Sequence, residues 1–145
     1  MTPEHQNRST FMKVGLSDKD EPNKSPPFYS MKTLMDKKGY DHIDLLKVDV
    51  DGAEYRSMHK FMDDFAKEGV LPISQLSMEL HLDDDKNWNF GKVYSFMERF
   101  EEFGLRISGR EVNFGAAAGE GPIPRAVEVS LPFSTPFAIG SSTST

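Results

Sequence analysis

Residues 43–50 carry apolar side chains at Ile43, Leu45, Leu46, Val48 and Val50, on both faces of an extended segment. That is the pattern of a strand buried within a parallel sheet. The segment runs into Asp49-Val50-Asp51-Gly52-Ala53-Glu54, where acidic residues gather. A stripe of Tyr55, Met58, Met62 and Phe65 follows at helical spacing. A buried strand that turns at once into an amphipathic helix constrains this chain more than any other feature. It points to an α/β fold with an acidic turn at the carboxyl end of a strand, where open α/β sheets bind ligands.

The rest of the pattern alternates in the same way. Residues 10–16 predict a short strand, 29–38 a helix stopped by Gly39, and 53–67 a helix with Gly69 just past its end. Residues 74–82 predict a second strand, and 90–103 a helix with Phe90, Val93, Met97 and Phe100 on one face, stopped by Gly104. Residues 105–114 and 125–131 predict two last strands. Strands alternating with helices imply a mostly parallel sheet covered by helices. The final two, joined without a helix, are expected to pair antiparallel at one edge.

With 145 residues the chain suits one domain. Its expected extent is 10–132, after a polar segment at 1–9 and before a disordered Ser/Thr-rich tail at 133–145. The net charge of −6, with no cluster of Lys and Arg, argues against a nucleic-acid partner. The absence of cysteine excludes disulfides, thiolate zinc sites and cysteine nucleophiles. No apolar run reaches the ~20 residues of a membrane helix. The polar start lacks the apolar core of a signal peptide, so the expected compartment is cytoplasmic by default.

Three groups of residues carry candidate chemistry. In the acidic turn, Asp51 and Glu54 are spaced as a capping box, with Asp51 at the helix N-cap and Glu54 reaching back. Asp49 has no capping role and is the better candidate for function. In the second strand, Gln75, Ser77, Glu79 and His81 share one face, opposite Leu76, Met78, Leu80 and Leu82. Glu79 and His81 could do acid–base work or contact a substrate there; the other readings are a strand with one solvated face, or a histidine hydrogen-bonded in the core. The acidic run Asp83-Asp84-Asp85 fails the calcium-loop template, with Trp88 where Gly is required, and reads as a solvated loop leading to an N-cap at Asn89. His59 is expected at the surface. No metal ligand set is assigned. A metal-dependent hydrolase using Asp49, Asp51 and His81 has only their proximity in its favour.

The segment Ile43-Asp44-Leu45-Leu46-Lys47-Val48-Asp49-Val50-Asp51-Gly52-Ala53-Glu54 resembles the IDLLKIDVEGAE signature of FkbM-type, methyltransferase-like proteins. Further segments resemble family elements in the same order. They are Gly15-Leu16-Ser17 with its acidic turn, Phe28 to Met35, Gln75-Leu76 through Glu79-Leu80-His81, Glu111-Val112-Asn113, and Ala126 to Ser130. The resemblance spans roughly residues 10–132 and implies an S-adenosylmethionine-dependent methyltransferase fold, Rossmann-like, with sheet order 3-2-1-4-5-7-6 and strand seven antiparallel. It implies catalytic roles for Asp49, Glu79 and His81, and cofactor contacts from Asp18, Asp49 and Asp51. The family's first two strands, its glycine-rich turn and its ribose-binding acid are expected before residue 10. This chain is therefore expected to be a partial domain, a fragment with little or no activity alone and an unidentified methyl acceptor. The other reading is a non-catalytic interaction module that uses an exposed strand edge for a partner or for self-association.

Overall fold

The computed structural model describes residues 9–81, 89–112 and 126–134. These residues form six strands and three helices, in the order β1 (Gly15–Leu16), β2 (Phe28–Tyr29), α1 (Met31–Lys38), β3 (Ile43–Val48), α2 (Glu54–Asp64), β4 (Ile73–His81), α3 (Phe90–Glu102), β5 (Gly109–Val112) and β6 (Ala126–Pro132). The fold is mixed α/β with two sheets.

The helices begin and end on local signals. Ser30 caps α1, its side chain accepting from the Thr33 amide, and Gly39 ends it in the left-handed region at φ 68°. Asn89 caps α3 by accepting from the Lys92 amide, as its sequence position suggests. α2 departs from expectation. Its N-cap is Ala53, with no side-chain bond, while Asp51 stands outside the helix at φ 49°. The capping box is not formed, because Glu54 is used elsewhere. α2 also ends earlier than expected, at Asp64 rather than Lys67.

β3 and β4 pair in parallel, with Leu46 beside Leu76 and Val48 beside Met78. β6 then lies antiparallel on the far side of β4, and β5 antiparallel on β6, giving the order β3-β4-β6-β5. Three of the four strands point one way and β6 alone is reversed. The expected antiparallel pair is present, but its second strand sits inside the sheet and its first forms the edge.

One face of this sheet and all three helices share a single core. Val48, Leu76, Met78, Leu80, Val129 and Leu131 meet Met31 and Met35 of α1, Met58, Phe61 and Met62 of α2, and Phe96, Met97 and Phe100 of α3. At about 25 cal/mol per Å² of apolar area removed from water, this cluster dominates the stability. The opposite face is polar. Ser77 donates to Glu128 at 3.1 Å and the Lys47 ammonium lies 3.7 Å from the same carboxylate, a ladder across three strands. The solvated-face alternative thus describes Gln75 and Ser77, and helices on both sides of the sheet are not found among the described residues.

The β1–β2 pair stands apart from the main sheet. The strand expected over 10–16 shrinks to Gly15–Leu16, and its neighbour is Phe28–Tyr29, whose second residue is expected to start a helix. Gly15 lets the strands close: a Cβ there would lie 2.3 Å from the Phe28 ring. The free edge of the main sheet is β3. Among the described residues no strand pairs with its outer side, and Leu45 is 58% exposed.

The acidic run at 83–85, the environment of Trp88 and the glycine-rich stretch at 115–124 lie outside the described residues. So do residues 1–8 and 135–145. Phe133 and Ser134, within the expected tail, donate their amides to the carbonyls of Ser74 and Gly104.

Candidate functional site

β3 and β4 are adjacent and parallel, so their carboxyl ends lie side by side. This brings the turn after Val48 next to His81, the last residue of β4. The turn folds back through two left-handed residues, Asp51 at φ 49° and Gly52 at φ 97°. Aspartate tolerates that region better than most residues, and glycine enters it freely.

Glu54 organises the junction. It is 1% exposed, and its carboxylate accepts from the Val50 amide at 2.8 Å and the Gly52 amide at 3.0 Å. The same carboxylate accepts from His81 Nδ1 at 3.0 Å. A buried carboxylate is costly unless its lone pairs are used, and here three donors use them. Because a carboxylate only accepts, the imidazole proton sits on Nδ1 and the lone pair of neutral His81 is on Nε2.

That Nε2 faces the acids of the turn, with Asp51 Oδ1 at 3.8 Å. Asp49 and Asp51 are exposed, and His81 is half-buried. One ligand atom from each of these three residues can be chosen so that all lie within 4.8 Å of one another. Partial burial of His81 disfavours its charged form. The Glu54 hydrogen bond and carboxylate outweigh that, with help from Glu79 and Asp49, and the pKa is raised above the usual histidine value. Glu79 lies two residues back on the same polar face, ~7 Å along the strand, and opposite Glu128.

Of the residues singled out from the sequence, Asp49, Asp51, Glu79 and His81 are therefore neighbours at the strand ends. Asp18 is not in that group. It accepts from the Ser17 hydroxyl at 3.2 Å, and its carboxylate lies 3.9 Å from the Arg56 guanidinium on α2. Asp18 instead lines an open cleft of about 400 Å³ with Asp20, Thr33, Lys60 and Asp64. A second cleft, of about 430 Å³, runs between α1 and Phe65. Neither reaches Asp49, Asp51 or His81.

Sequence reasoning missed the role of Glu54, because its spacing from Asp51 fits a helix cap. The only signal was topological: Glu54 follows one strand and His81 ends the next. It also missed the contacts of His59. His59 is half-buried between α2 and α3, with ring centroids 4.2 Å from Tyr55 and 5.1 Å from Phe96. Arg99 donates to its Nδ1 at 2.6 Å and also bonds Asp63. Burial and the Arg99 charge, opposed by Asp63, hold the His59 pKa below the usual histidine value.

No known protein family, curated protein or solved structure matches the chain. The geometry is therefore the ground for a functional reading. It offers an oriented imidazole, two exposed carboxylates beside it, and a buried carboxylate behind it.

Proposed function

We propose that the chain is a methyltransferase-type domain in which Asp49, Glu79 and His81 form the acceptor side of a site for S-adenosylmethionine-dependent methyl transfer. The observation that supports this reading is the strand order. Numbered as the resemblance implies, β3-β4-β6-β5 corresponds to 4-5-7-6, the second half of 3-2-1-4-5-7-6, and the reversed strand is the seventh. Ligands of such sheets bind at the carboxyl ends of parallel strands, where these three residues lie.

The described residues do not fit the whole cofactor. The Val50 and Gly52 amides, which could cradle its carboxylate, already donate to Glu54. No connection between a strand and the helix after it is glycine-rich. No methyl-transfer step is derived from this chain. What its residues can do is accept a proton at His81 Nε2, with Glu54 fixing the tautomer and Asp49 and Glu79 favouring the imidazolium that results.

Calorimetry with S-adenosylmethionine, paired with an assay of labelled methyl transfer to pooled acceptors, tests the reading. Binding of the chain alone should be weak, about millimolar and worth roughly 4 kcal/mol, and should be lost in Asp49→Asn. Tight binding would overturn the claim that most cofactor contacts lie outside these residues. Absence of both binding and transfer would overturn the methyltransferase reading. The alternative, an interaction module that adds a strand to its edge, draws on the exposed Leu45 and the open side of β3.

A further inference from the structure

We infer that Asp49, Asp51 and His81 form a binding site for one divalent transition-metal ion at the carboxyl ends of β3 and β4. The donor set is mixed, with two carboxylates from one turn and one imidazole from the neighbouring strand, and their donor atoms lie within 4.8 Å of one another. Metal–ligand bonds of about 2.0–2.2 Å require donors roughly 3–4 Å apart. Side-chain rotations of the two exposed aspartates can close the remaining gap.

The stronger observation concerns the histidine. A ligating imidazole commonly donates its other ring nitrogen to a carboxylate, which fixes its tautomer and aim. His81 does this to Glu54, a side chain that is almost completely buried and pinned by two backbone amides. Glu54 contributes no ligand atom to the set, so it orients the site from outside. It turns the Nε2 lone pair toward Asp51 Oδ1, 3.8 Å away. In the neutral imidazole that lone pair meets the acids of the turn, and a cation placed among the three groups, a proton or a metal ion, is attracted by all of them. Among the described residues no Lys or Arg forms an ion pair with Asp49 or Asp51. Lys47 is paired with Glu128, and Arg56 with Asp18.

The donors also indicate the class of ion. Carboxylates alone suit Mg²⁺ and Ca²⁺, whereas imidazole suits the first-row transition ions. One imidazole with two carboxylates favours an ion that accepts both, such as Mn²⁺ or Zn²⁺. Three protein ligands leave further positions open, as in sites that act on a substrate rather than only stiffen a fold. The inference is tested with metal alone and stands apart from the methyltransferase reading; His81 Nε2 has one lone pair, so it accepts a proton only in the ion-free chain.

The test is titration of the full chain with MnCl₂ at neutral pH. Free Mn²⁺ is followed by its paramagnetic resonance signal, and the histidine ring protons by NMR. One Mn²⁺ per chain should bind, broadening His81 before His42 and His59. Asp49→Asn and Asp51→Asn, both exposed and tolerant of change, should each weaken binding about 10-fold or more, a change of roughly 1.4 kcal/mol. Glu54→Gln should weaken it by about 10- to 100-fold. If that variant fails to fold, the broadening in the unaltered chain still decides the question. Absence of binding, broadening that spares His81, or full binding by the Asp49→Asn/Asp51→Asn double variant would overturn the inference.

Discussion

The fold drives its two described helix- and strand-borne histidines, His59 and His81, in opposite directions. His81 gains carboxylates, so its pKa is raised. Its contribution to stability is fully present below the unfolded value of about 6.5 and is lost as pH rises through the folded value. His59 is desolvated and held by a guanidinium, so its pKa is lowered. Its contribution is present above about 6.5 and is lost as pH falls through the folded value. Urea midpoints measured on either side of neutrality should separate them. His81→Gln should destabilise most at acid pH, and His59→Gln most at neutral and alkaline pH. Equal pH profiles for the two variants would contradict the partners assigned to each ring. At this scale the sequence was legible in part. Asp49 and His81 were visible because each follows a run of strand pattern. Glu54 was not, because a glutamate three residues after an aspartate reads as a cap until the neighbouring strand is known. The Arg99 contact with His59 joins residues 40 apart, and no local pattern announces it.

Among the elements, helices were more legible than strands, and the reason is physical. Ser30, Gly39, Asn89 and Gly104 act on their own neighbours, so their effects are written locally. The extent of a strand depends on what lies beside it. Residues 10–14 have strand-like composition, yet only Gly15–Leu16 pairs, because its partner is two residues long. Gly104 shows how far a local signal can be trusted. It has φ 85°, and a Cβ there would stand 2.8 Å from the Phe133 ring. Gly104→Ala should cost about 1–2 kcal/mol from backbone conformation, with displacement of Phe133 adding to it. Chemical denaturation would register the loss, and an unchanged midpoint would mean that the turn after α3 is not held as described.

In the whole molecule, the helix-covered face was legible from apolar periodicity, while the strand order was not. Alternating elements imply a parallel sheet, but nothing in their spacing inserts β6 between β4 and β5; only the family resemblance suggested it. The doubly apolar pattern of β3 is equally instructive. It predicts burial on both sides, and the structure leaves Leu45 exposed on the polar face of β3, the edge strand among the described residues. Exposed apolar edge strands invite pairing with other chains. Leu45→Lys should reduce concentration-dependent self-association in sedimentation velocity while changing stability by no more than about 0.5 kcal/mol. Unaltered association would remove the β3 edge as its cause. The position of β6 has a temporal consequence as well. Among the described residues, β5 pairs in the sheet only with β6. A growing chain therefore releases β5 before its partner strand has been synthesised, and β4 likewise waits with one side unpaired. Assembly of half the sheet is gated on Ala126–Pro132, so the last of the described strands is the one that locks the earlier ones together.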